Sequence, residues 1–159
     1  MKQQTCCFTG HRNIPPEHIP VLEKQLRAQI LQLFDDGYRI FACGGALGFD
    51  TMAAQAVLEL RDRGLPLQLL LILPCADQDA LWSAEDRRTY RDILRRANEV
   101  ECIAAAYYDG CMQKRNRTLA ERSSCCVCYC RRLGSGTGYT MRYARQLGLR
   151  IEPLSGEEV

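Results

Sequence analysis

The sequence lacks any apolar run approaching the roughly 18 residues that a membrane-spanning helix requires, and its Met1-Lys2-Gln3-Gln4 start leads into a strand-like segment without an apolar signal core. No membrane partner is expected, and the expected location is cytoplasmic. An excess of one charge is also lacking: 21 Lys and Arg against 19 Asp and Glu leave a formal +2, too little to drive binding to nucleic acid or a lipid surface by overall field alone. Two phosphate-binding signatures are missing as well. No G-K-[ST] closes a P-loop, and a G-x-G-x-x-G fingerprint would need glycine where Cys43 stands. Pro74 and Cys75 offer no acid to a ribose after the next strand, so standard NAD binding is disfavoured.

Cysteine, by contrast, is plentiful, with ten in 159 residues. In the absence of a secretory segment these read as reduced thiols rather than a disulfide framework. Cys6, Cys7, Cys43, Cys125, Cys126, Cys128 and Cys130 fall in strand-like segments, where a free thiol serves as a small hydrophobe. Cys125 and Cys128 spell C-x-x-C, but residues three apart on a strand face opposite sides, which argues against a zinc site or a redox pair.

Hydrophobic patterning alternates strands with helices. A strand over 5–9 precedes a helix carrying Ile19, Leu22, Leu26, Ile30 and Leu33, with Gly37 as its cap. A strand over 38–43 turns through Gly44-Gly45-Ala46-Leu47-Gly48 into a helix carrying Met52, Ala53, Ala56, Val57 and Leu60. The apolar strand over 67–73 ends at Pro74, and a helix is expected around 79–97. A strand over 99–104, a basic helix over 112–122 and a strand over 124–129 follow; the turn over 134–138 then opens a helix ending near Gly148, and 150–154 adds a sixth strand. This order predicts a single Rossmann-like α/β domain over 1–159, a mostly parallel sheet of five or six strands with helices on both faces. Right-handed crossovers place every strand-to-helix turn on one edge, where open α/β sheets bind ligands.

The candidate site residues lie at those turns. Gly10 would let backbone approach a ligand, and Arg12 would pair with a phosphate. His11 reads first as a loop imidazole with a local hydrogen bond, second as a general base; His18 reads as helix surface. Gly44, Gly45 and Gly48 form a turn that would present N–H groups to an anion, and Asp50 is a candidate for a ribose hydroxyl or a cap. Gln78 and Trp82 follow the third strand, where Trp82 would stack on a base or pack in the core. Arg115, Asn116 and Arg117 open a segment running to Glu121-Arg122-Ser123, read evenly as a solvated basic face or as ligand contacts. Gly134, Ser135, Gly136, Thr137 and Gly138 make the strongest candidate, a phosphate nest entering a helix.

Together, Cys7-Phe8-Thr9-Gly10-His11-Arg12, Gly44-Gly45-Ala46-Leu47-Gly48-Phe49-Asp50, Arg115-Asn116-Arg117 and Gly134-Ser135-Gly136-Thr137 resemble the YpsA-like family of the SLOG superfamily, over nearly the whole chain. The order also resembles the DprA family, with its Gly-Ile-Asp turn (here Gly48-Phe49-Asp50) and an Arg-Asn-Arg segment before a serine (here Ser123). A further likeness is to the LOG phosphoribohydrolases, whose Met-x-x-Arg matches Met112 and Arg115 and whose glycine segment matches Gly134, Gly136 and Thr137; at the position of that family's acid stands Thr140. The resemblance implies a Rossmann-like sheet that binds nucleotides or nucleotide-derived ligands.

Three readings follow. The leading one is binding or sensing of a nucleotide such as AMP, ADP-ribose or NAD, with no cofactor required and no metal. The second is N-glycosidic hydrolysis, with Arg115 orienting the substrate and Asp50 or Glu121 replacing the missing carboxylate. The third is single-stranded DNA binding, motivated by Arg115, Arg117, Arg131 and Arg132. A homo-oligomer paired through helices is compatible with the fold class, but no sequence feature marks its interface.

Overall fold

The computed structural model describes residues 1–158, and every pair of hydrogen-bonded strands in it is parallel. In chain order the elements are β1 (Thr5–Gly10), α1 (Ile19–Asp35), β2 (Ile40–Cys43), α2 (Phe49–Asp62), β3 (Gln68–Cys75), α3 (Ala84–Arg96), β4 (Glu99–Ala104), α4 (Cys111–Glu121), β5 (Cys125–Tyr129), α5 (Gly136–Gln146) and β6 (Arg150–Pro153). They form a six-stranded sheet ordered β4-β3-β2-β1-β5-β6. No helix is long and apolar enough to cross a membrane among the described residues.

Strand composition explains the order. Β1, β3 and β5 are buried along nearly their whole length, as parallel strands covered on both faces must be, whereas β4 and β6 at the edges are half exposed. Leu22, Leu26, Ile30 and Leu33 of α1 pack with Phe49, Ala53 and Val57 of α2 and Tyr90 and Ile93 of α3 onto Cys6, Phe41, Leu69 and Leu71. On the other face Leu119 and Ala120 of α4 and Met141 and Ala144 of α5 cover Cys7, Ala42, Leu70, Ile72, Cys126 and Cys128. Cys125 belongs to the first layer and Cys128 to the second, so the period of two does separate the C-x-x-C thiols. All ten cysteines are unbridged.

The chain steps outward from β1 through β2 and β3 to β4, then returns to place β5 on the other side of β1. The carboxyl ends of β1 and β5 therefore flank the topological switch point, where the loops leave in opposite directions and open a crevice.

Several boundaries differ from those expected. Β3 runs through Pro74 to Cys75, because strand pairing continues beyond the proline, with Cys75 opposite Ala104. Α3 starts at Ala84, not near Asp79: the Ser83 hydroxyl caps it by accepting the Asp86 N–H at 3.1 Å, which leaves Gln78 and Trp82 in turns before the helix. Ile19 is 38% exposed, since it sits in the first turn of α1 at the rim of an open recess that it lines with Ile14, Thr51 and Met52. Cys130 lies just past β5 and is only partly buried. His18 is not surface: it is 6% exposed in the short 3-10 turn before α1, with its Nδ1 2.8 Å from the Tyr129 hydroxyl.

Candidate functional site

Two loops form one wall of the crevice by locking together. The turn after β1 and the turn after β2 meet where the His11 carbonyl accepts the Phe49 N–H at 3.0 Å. Glycine is needed for this contact: a Cβ at Gly48 would stand 2.2 Å from the Arg12 carbonyl oxygen, and one at Gly10 would stand 2.3 Å from the Phe49 ring. Gly10 thus serves loop-to-helix packing, rather than ligand approach alone. Thr9, Gly10, His11 and Arg12 line the crevice, which has a volume of about 560 Å³.

Behind this wall lies a buried polar cluster. Arg115 projects from α4 across the sheet end and is only 5% exposed, so it is not part of a solvated basic face. Its Nη1 donates to the Gly44 carbonyl at 2.6 Å and its Nε to Asn116 Oδ1 at 2.9 Å. A Cβ at Gly44 would fall 2.6 Å from that guanidinium, which gives the glycine a structural reason. Asp50, on the first turn of α2, accepts the Ala46 N–H at 3.3 Å. Burial raises the Asp50 carboxyl above its ordinary range, and the charge of Arg115 opposes that shift. Burial likewise lowers Arg115, with Asp50 opposing. The two charges sense each other without forming an ion pair within 4.0 Å, and both line the crevice. Gln78 is fixed at its back by donating to the Gly44 carbonyl at 3.3 Å and to the Tyr90 hydroxyl at 3.0 Å, and Trp82 packs edge-on to Tyr90 at 5.0 Å.

The opposite wall is the turn from β5 into α5. The Ser135 hydroxyl caps the helix by accepting the Gly138 N–H at 3.1 Å and donates to the Arg132 carbonyl at 2.6 Å. The N–H groups of Gly136 and Thr137 have no acceptor among the described residues. They stand at the positive end of the helix. Gly138 is required because a Cβ there would meet the Leu133 carbonyl at 2.1 Å; Gly134 and Gly136 meet nothing within 4 Å and have no positive φ. The protein's own packing therefore does not explain those two glycines.

His11 lies between the walls. Its Nε2 accepts the Arg131 N–H at 2.7 Å, which puts the proton of the neutral ring on Nδ1. Burial, and then the charges of Arg132 and Arg131, hold its pKa below the usual histidine value.

Of the residues singled out in the sequence, Gly10, His11, Arg12, Asp50, Gln78, Trp82, Arg115, Asn116, Gly134, Ser135, Gly136 and Thr137 line one crevice. Gly44, Gly45, Gly48 and Gly138 support it from behind, and Arg117 lies outside it. Glu121 also lies outside: it is at the far end of α4, where its carboxylate accepts the Tyr143 hydroxyl at 2.5 Å. Thr140 is buried on α5 with its hydroxyl donating to the Gly136 carbonyl at 3.0 Å, and it does not line the crevice. Sequence reasoning missed Met112, Gln113, Leu119 and Tyr139 as lining residues. The helical period could have found Met112 and Leu119, which share a face with Asn116, and Tyr139, one turn beyond Ser135.

Residues 6–145 match the model of the YspA SLOG family. The chain is 33% identical over 107 residues to a UPF0398 protein of Halalkalibacterium halodurans, covering 66% of this chain and 57% of that protein. It is 28% identical over 104 residues to a UPF0398 protein of Bacillus pumilus, covering 64% and 56%. The matched region spans about half the length of these curated relatives. Among solved structures, DNA processing protein A of Streptococcus pneumoniae is similar with a TM-score of 0.72 at 16% identity, covering 99% of this chain and 52% of that one. DNA processing protein A of Helicobacter pylori, which has a single-stranded DNA binding mode, is similar with a TM-score of 0.68 at 19% identity, covering 99% and 67%. At those identities the likeness is one of fold.

Proposed function

The chain belongs to the YspA SLOG family, and from that premise we propose that its crevice binds a nucleotide or a nucleotide-derived phosphate. The observation that carries this reading is the pair of unpaired N–H groups at Gly136 and Thr137, opening on the same crevice as Arg12, Arg132 and the buried Asp50. A phosphate suits the helix end, where two N–H donors and the helix dipole favour an anion. Gly134 and Gly136, free of any internal requirement, let that group approach the backbone. Asp50 is the one carboxylate among the described lining residues and suits a sugar hydroxyl, while Trp82, Met112 and Tyr139 supply apolar surface for a base.

Thermal denaturation tests the reading with AMP, ADP-ribose and NAD. A ligand at 100 times its Kd adds about 2.7 kcal/mol, which for a domain of this size raises Tm by about 5–10 °C. A flat response to all three contradicts it.

A specific observation favours N-glycosidic hydrolysis as a second reading. Burial raises the Asp50 carboxyl, the condition for a proton donor, and Asp50 is the residue left for that role once Glu121 and Thr140 lie outside the crevice. Chromatography for free base after incubation with nucleoside monophosphates tests it; no release refutes it. Single-stranded DNA binding, the property of the Helicobacter pylori neighbour, would engage exposed Arg131, Arg132 and Tyr139 rather than buried Arg115. It predicts affinity that falls steeply with salt.

A further inference from the structure

Beside the main crevice, and sharing His11 and Arg132 with it, lies a smaller recess of about 220 Å³ lined by His11, Asn13, Arg131 and Arg132. Its chemistry is one-sided. Two guanidiniums, an amide and an imidazole line it, and no carboxylate does. Neither Arg131 nor Arg132 has a carboxylate within 4.0 Å among the described residues, whereas Arg61 and Arg122 elsewhere on the surface have one each and Arg96 and Arg150 two each. Two adjacent cations left without a counter-ion repel each other, and such a pair is stabilised when an anion sits between them.

The recess is also held in shape. His11 accepts the backbone N–H of Arg131 at 2.7 Å, so the segment carrying both arginines is pinned to the turn after β1. The same bond directs the other ring nitrogen to act as a donor, and no acceptor for it exists among the described residues. The donors in the recess therefore outnumber the acceptors, the composition of a phosphate site rather than of a hydroxyl or base site. Its continuity with the crevice through Arg132 places it next to the N-terminus of α5.

We propose that this recess is a second anion subsite, taking the second phosphate of a nucleotide whose first phosphate lies at Gly136 and Thr137. The ligand class is then a nucleoside diphosphate or a pyrophosphate-linked nucleotide, not a nucleoside monophosphate. The inference rests on the nucleotide reading of the crevice and sharpens it.

Calorimetric titration with AMP and with ADP separates the two. Wild type is expected to bind ADP at least about tenfold more tightly than AMP, the effect of one or more charge-assisted hydrogen bonds. The R131A variant removes a guanidinium that lines the recess but not the main crevice, and it keeps the backbone N–H that His11 accepts, so the recess retains its frame. It is expected to bind AMP within about threefold of wild type and to lose the preference for ADP. Equal affinity of wild type for the two ligands overturns the subsite while leaving the crevice reading intact. An equal loss of both ligands in the variant also overturns it, since Arg131 then acts as general attraction. Binding of neither ligand by wild type overturns the subsite and the nucleotide reading together. A single-stranded oligonucleotide that binds wild type more tightly than ADP and loses that affinity in the variant assigns Arg131 to a polynucleotide backbone and likewise overturns the proposal.

Discussion

Replacing Arg115 by alanine removes a buried cation that joins α4 to the turn after β2. The side chain is 5% exposed and donates to the Gly44 carbonyl at 2.6 Å. Losing a charge-assisted bond to a buried carbonyl costs about 1.5–3 kcal/mol. The emptied volume and the unopposed charge of Asp50 add to this, while release from the desolvation of Arg115 offsets part of it. The net expectation is a loss of about 2–4 kcal/mol, or a Tm lower by about 5–15 °C for a domain of this size. The loss should also depend on pH. Burial raises the folded-state pKa of Asp50 above its unfolded value, so its burial costs least at low pH and most once it ionises. Without Arg115 that pKa rises further, and the gap in stability between wild type and variant widens as pH rises above the unfolded carboxyl value of about 4. Urea denaturation of both proteins across a pH series measures this. A gap under about 1 kcal/mol, or one that narrows as pH rises, refutes the coupling of Arg115 to Gly44 and Asp50.

Four further perturbations test other parts of the site and the sheet beneath it. His11 has a folded-state pKa below its unfolded value, so its contribution to stability is present above about pH 6.5 and is lost as pH falls through the folded pKa, when the Arg131 N–H loses its acceptor and a third cation joins Arg131 and Arg132; H11Q should flatten that part of a Tm-against-pH curve, and an unchanged curve contradicts this role. G136A should leave stability unchanged or raise it by up to about 1 kcal/mol, as glycine to alanine in a first helical turn does, yet weaken nucleotide binding. G44A should lower stability because its Cβ would meet the Arg115 guanidinium at 2.6 Å; equal effects of the two glycine substitutions on stability would contradict the distinction between them. Iodoacetamide should label exposed Cys102 first and half-buried Cys130 next, because burial blocks access elsewhere and pushes Cys75 up to about 11 and Cys128 up to about 12; rapid labelling of Cys6 or Cys43 would contradict the packing of the sheet.

The strands and their burial were legible because parallel strands covered on both faces are apolar throughout, as in residues 67–73, and because Gly37 and Gly64 mark helix ends with positive φ. The edge of the sheet where the candidate crevice opens followed from topology alone. Legibility failed where long-range packing decides a residue's fate. His18 reads as helix surface until Tyr129, 111 residues later in the chain, supplies its partner. Arg115 and Arg117 look alike in a basic helix, and only the helical phase and the position of Gly44 bury the first. The glycines show the same limit. Nothing in the sequence separates Gly44 and Gly138, which the fold demands, from Gly134 and Gly136, which it does not.

A nucleotide phosphate held on the N-terminus of α5 would sit against the unpaired N–H groups of Gly136 and Thr137. Nuclear magnetic resonance of the 15N-labelled protein during titration with ADP reports on it directly. The backbone amides of Gly136 and Thr137 should show the largest shifts, and these shifts should weaken in G136A. Shifts centred on the opposite edge of the sheet, around Gln68 and Arg150, or no shift at saturating ADP, would contradict that placement.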